Sequence, residues 1–116
     1  MDAENLIPIA YSDAKEIKSF AFAGNNKLKS INFPNVEKIN EGAFEGCINL
    51  ASVTLGIEPP ELGKNVFGYE NVLVRRIVFH IPHNANLVAY KIFFNNLEID
   101  VNNANKVKIG TPTLPL

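Results

Sequence analysis

The chain has 116 residues, 47% apolar and 20% charged, with 11 basic against 12 acidic side chains and a formal charge of −1. That length suits one domain with a modest core, and the charge balance argues against nucleic acid, an anionic membrane or an acidic substrate as partner. No apolar run approaches the ~20 residues that span a bilayer, and a single cysteine, Cys47, excludes an intramolecular disulfide framework.

The opening stretch MDAENLIPIAYSDAK has neither a positive leader nor a long apolar segment, so no signal peptide is expected in it. A cytosolic chain, or one whose export signal has been removed, fits that reading. Leu6, Ile9 and Tyr11 predict a short strand with Pro8 and Ala10 on its other face. Its preceding half coil is absent, which predicts an open strand edge. Further repeats in a longer chain, residues 2–5 or another copy of the chain would cover that edge.

The next stretch, EIKSFAFAGNNKLKSINF, spaces Ile17, Phe22, Leu28, Ile31 and Phe33 at gaps of 5, 6, 3 and 2. A helix would show gaps of three and four, and a strand gaps of two. The same gaps return 22 residues later at Ile39, Phe44, Leu50, Val53 and Leu55. A third copy, Leu62, Phe67, Leu73, Ile77 and Phe79, reads 5, 6, 4 and 2 after a step of 23. Leu6, Ile9 and Tyr11 are a half copy 22 residues ahead of Leu28, Ile31 and Phe33.

A period of 22 to 23 residues falls in the leucine-rich-repeat range. The 3-2 end of each copy is a short strand, and the 5-6 end is a turn that carries a phenylalanine back across the coil. One coil cannot enclose a core, so coils stack at strand spacing, about 4.8 Å. The expected interior rows are Ile9–Ile31–Val53–Ile77 and Tyr11–Phe33–Leu55–Phe79, with Phe22, Phe44 and Phe67 in a column of their own. Pro34, Pro59–Pro60 and Pro82 follow the strands and favour a turn. Gly24, Gly46 and Gly68 follow the inward phenylalanine of the three full copies by two, two and one residues, which points to a shared positive φ or a close approach of coils.

After Phe79 the pattern changes. Asn84 or Asn86 is a candidate N-cap for a helix of about ten residues carrying Leu87, Tyr90 and Phe94. Leu97, Ile99 and Val101 alternate as a closing strand, and residues 102–116 read as a loose tail. The expected organisation is a half copy at 5–16, repeats at 17–38, 39–61 and 62–84, a cap at 85–101 and a tail. The fold class is an α/β leucine-rich-repeat solenoid of short parallel strands and 3₁₀ turns, closed by a helix and a strand.

INEGAFEGCINLASVTL, together with PPELGKNVF followed by FHIPHNANLVAYK, resembles the BspA-type leucine-rich repeats of surface and secreted proteins in gut and oral bacteria. The resemblance runs from about Leu6 to Val101 and includes the family's usual C-terminal ending. The chain departs from the pattern in three places: Cys47 has no counterpart in the other copies, where Asn25 and Glu70 stand. Val66 replaces the alanine, and KIFFNN lacks the usual tryptophan. The resemblance implies a non-enzymatic binding or adhesion module, part of an exported, cell-surface or secreted chain.

The residues themselves carry little chemistry. His80 and His83 flank Pro82 outside any helix and have no third ligand nearby, so no metal site is expected. Cys47 reads as a small packed residue between coils rather than a nucleophile, and no phosphate-binding glycine loop is present. No cofactor and no enzymatic activity are expected. Five of the eight phenylalanines sit on repeat core positions, which argues against a stacking surface; Phe20, Phe93, Tyr69 and Tyr90 are open to a surface or cap role. Strand alternation places Ser30, Asn32, Ser52, Thr54, Arg76, Val78 and His80 on one outward face. That face is the candidate ligand-binding site, for a protein or a glycan. The alternative is a structural end segment of a longer solenoid with no ligand of its own, and self-association through the N-terminal strand edge is a further alternative.

Overall fold

The computed structural model describes residues 9–10, 13–69 and 73–110. The long parallel sheet contains β1 (Ile9–Ala10), β3 (Ser30–Phe33), β5 (Ser52–Leu55), β7 (Val78–Ile81) and β8 (Val107–Ile109), in the order β1-β3-β5-β7-β8. A second parallel sheet, β2-β4-β6, is built from Glu16–Ile17, Lys38–Ile39 and Glu61–Leu62. Each coil runs from the long sheet to the short sheet, through a proline turn after β3 and after β5, then back through a turn carrying the inward phenylalanine. Ile17 and Ile39 are buried beside exposed Glu16 and Lys38, so even these two-residue strands alternate.

The phenylalanine column is present. Phe22 and Phe44 stack with centroids 5.4 Å apart, and Phe44 and Phe67 at 5.8 Å. Backbone bonds between coils hold that side together: Phe22 N–H donates to Ala43 O at 2.9 Å and Phe44 N–H to Val66 O at 2.8 Å. Gly24, Gly46 and Gly68 have φ of 77°, 78° and 97°, the left-handed conformation in which a Cβ is costly.

The interior rows shift in the third coil. Ile9↔Ile31↔Val53 hold as expected, but Val53 faces Phe79, not Ile77, and Thr54 faces His80. Phe79 therefore leaves the expected row with Phe33 and Leu55 and continues Ile31–Val53 to Val107. The cause is the extra length of this copy, which forms a 3₁₀ turn at Val74–Arg76 with Val74 buried. Ile77 is fully buried just ahead of the strand. Tyr11 lies outside the described residues.

Helix α1 (Leu87–Asn96) begins at Asn86, whose Oδ1 accepts from Ala89 N–H at 3.1 Å. The cap is anchored to the second coil. Asn86 N–H donates to Ile57 O at 2.8 Å, and the Tyr90 hydroxyl donates to Gly56 O at 2.8 Å. The helix buries Tyr90, Phe93 and Phe94 and leaves Leu87 exposed. Phe94 meets Phe79 at 5.2 Å, so the aromatic column runs on into the cap.

The closing strand is not at Leu97–Val101. Glu98 takes φ 63°, and Ile99 N–H donates back to Phe94 O at 2.8 Å. Those bonds wrap the helix end, so Leu97 and Ile99 are buried in a turn. The strand that covers β7 is β8, drawn from residues expected to be tail: Phe79↔Val107, His80↔Lys108 and Ile81↔Ile109.

Candidate functional site

Two outward rows cross the long sheet. Ser30, Ser52 and Val78 form one, and Asn32, Thr54, His80 and Lys108 the other. Parallel pairing sets neighbouring strands about 4.8 Å apart, so these side chains form a continuous stripe. A groove of about 1010 Å³ runs along the second row toward the proline turns, and Asn32, Ser52, Thr54 and His80 line it with Pro34 and Asn84. Ser30 and Val78 lie on the same face outside the groove. The backbone of Ala10 pairs with Asn32, and Pro8 lies outside the described residues.

Arg76 does not share this face. It ends the 3₁₀ turn, and its Nη2 donates to Ile48 O at 3.1 Å. That bond ties the third coil to the second, as Asn49 Nδ2 ties the second to the first by donating to Asn26 O. Lys108 is the face residue the sequence reading missed, because it lies in the stretch expected to be tail. The alternation of Val107, Lys108 and Ile109 was its only signal.

The electrostatics of the groove are mild. Partial burial, aided by the charge of Lys108, pushes His80 below the usual imidazole value, so its ring is neutral near pH 7. Lys15 and Glu37 approach to 3.9 Å with both side chains well exposed, a pair worth little. Amide, hydroxyl and imidazole groups suit hydrogen bonding more than ion pairing.

Cys47 is built for packing. It is fully buried, its Sγ donates to Phe22 O at 3.1 Å, and burial pushes the thiol up to about 11. A nucleophilic cysteine requires the opposite shift. Among the described residues no three His, Cys, Asp or Glu side chains converge on a point that could hold a metal ion. No helix of the described residues is long and apolar enough to cross a membrane.

Stacked parallel strands, repeated phenylalanine turns and a helical end define a leucine-rich-repeat solenoid, a class that suggests a protein-interaction module and is typically non-enzymatic. The chain belongs to the BspA type leucine rich repeat family, which matches residues 5–111 in 6 copies. No curated protein and no solved structure matches the chain.

Proposed function

We propose that this chain is a non-enzymatic interaction module that binds a protein ligand across the Asn32–Thr54–His80 row, as part of a surface or secreted adhesion-type protein. The groove along that row carries the reading, because it joins outward polar side chains from three coils to a concave wall of prolines. Its lining offers donors and acceptors without a dominant charge, and His80 adds a neutral ring that can serve as either. Ser52 also lines the groove, and Ser30 and Val78 extend the contact beside it. A glycan would use the same hydroxyl and amide groups. An extended protein surface matches a stripe three strands long better than a single sugar does.

A photo-crosslinking amino acid at Thr54 tests this. A partner trapped from Thr54, lost on His80→Glu and not trapped from a probe at exposed Lys18, which lines neither groove, is the expected result. Equal trapping from Thr54 and Lys18 refutes the face. A folded chain that traps no partner supports the spacer alternative instead.

A further inference from the structure

We propose that the open edge of β6 and the turn that follows it take up an extended peptide segment of another protein as a fourth parallel strand. This surface is separate from the strand-face groove, and the inference does not rest on that reading.

Two coils make hydrogen bonds that have no counterpart on the third among the described residues. Phe20 N–H donates to Glu41 O at 2.9 Å, and its counterpart Gly42 donates to Lys64 O at 3.1 Å. Phe22 and Phe44 donate likewise to Ala43 O and Val66 O. The counterparts on the third coil are Asn65 and Phe67, and neither amide donates to an acceptor among the described residues. On β6, Glu61 N–H and Gly63 N–H are committed to Glu37 O and Ile39 O of the second coil. Strand alternation therefore turns the N–H and C=O of Leu62 outward.

Among the described residues nothing completes this edge. After β7 it turns at Pro82 into α1, which stands across from β6 and leaves a groove of about 480 Å³ between them. One wall is Leu62, Asn65 and Phe67; the other is Ile92, Phe93 and Leu97. Ile92 is 62% exposed although it faces apolar neighbours. The groove thus pairs backbone donors and acceptors with an apolar floor, the combination by which sheet edges capture peptides. A whole coil of a second copy does not fit, because Phe93 and Phe94 already cover the core at Phe79. A single extended strand fits, with one apolar side chain set between Leu62 and Phe93.

The probe is a synthetic peptide of residues 36–44, VEKINEGAF. This segment already lies parallel on the inner side of the third coil, and its carbonyls at Glu41 and Ala43 have the required register. Titrated into the isotope-labelled chain, it is expected to saturate in the range of about 0.1–1 mM. The amides of Leu62, Asn65 and Phe67 should shift and gain exchange protection. N-methylation at the peptide's Asn40 removes the bond to Leu62 O and should weaken binding about tenfold or more. Ile92→Glu, at an exposed position, should do the same, while Thr54→Glu leaves the affinity unchanged. No saturation by about 5 mM, equal affinity of the N-methylated peptide, or shifts centred on Asn32, Thr54 and His80 would each overturn the proposal.

Discussion

Tyr90→Phe isolates the bond that fastens the cap to the solenoid. The Tyr90 ring is fully buried and contacts Phe93 and Phe94 at centroid distances of 5.5 Å. Phenylalanine keeps those contacts and removes only the hydroxyl that donates to Gly56 O at 2.8 Å. A typical net hydrogen bond contributes about 1 kcal/mol, and leaving a partly buried carbonyl without its donor raises the cost toward about 2.5 kcal/mol. The expected loss is about 1–2.5 kcal/mol. With an unfolding entropy near 2.1 cal/mol/K per residue, that corresponds to roughly 4–10 °C in midpoint for a chain of this size. Urea denaturation and calorimetry measure both quantities. Tyr90→Ala also removes the ring, and should cost about 3–5 kcal/mol. A Tyr90→Phe variant as stable as wild type, with m-value unchanged, would refute the claim that this hydroxyl couples cap to coil.

Phe44 touches Phe22, Phe33 and Phe67, so Phe44→Ala should cost about 3–5 kcal/mol by denaturant titration, against less than 1 for exposed Ile48→Ala. Cys47 has its thiol value raised from near 9 to about 11, so its neutral form is favoured by folding. That contribution is full below pH 9 and is lost as pH rises toward 11, by roughly 2–3 kcal/mol; Cys47→Ala should flatten that part of the stability–pH curve. Val107→Asp, which places a carboxylate against Phe79 in a buried strand, should cost about 3 kcal/mol or more, whereas a tail without structural role would tolerate it in the same melt. Gly42→Ala should cost roughly 2 kcal/mol or more in the wild type but nearer 1 in a Phe20→Asn background, a coupling read from the four denaturation curves of the double-mutant cycle.

Much of the solenoid was legible because the repeat writes one spatial relation several times. Phe22, Phe44 and Phe67 share a column because identical gaps place them at one point of successive coils, and no long-range pairing had to be guessed. The reading failed where copies stop being equivalent. The inserted residue before Ile77 could have lengthened a loop and left the strand register intact. It formed a 3₁₀ turn that buries Val74, and the pairing moved by two positions. Leu97, Ile99 and Val101 alternate as a strand does, but the positive φ at Glu98 and the bond from Ile99 to Phe94 spend that alternation on a helix terminus. Of the candidate face, Asn32 and Thr54 lie one repeat apart and share a row, and His80 joins them only through the shifted pairing of the third coil. Arg76 and Lys108, which sit where equivalence breaks, were misplaced or missed.

Phe20, Gly42 and Asn65 show what the repeat conserves when residue type is free. Their φ values are 57°, 62° and 51°, one left-handed position in three coils, and the first two make the same inter-coil bond. A left-handed phenylalanine costs about 1–2 kcal/mol relative to its preferred regions, yet Phe20 is also 51% exposed, so core burial does not explain it. The neighbouring coil does. A Cβ built on Gly42 would collide with Cε1 and Cδ1 of Phe20, which means the ring of the first coil occupies the space the glycine of the second leaves open. The ring covers backbone at a coil junction, and the glycine permits it. Each residue at this position is therefore chosen by the one stacked on it. Gly42 makes room for Phe20, while Asn65, whose backbone N–H has no acceptor among the described residues, takes the left-handed conformation with a polar side chain and lines the groove beside α1.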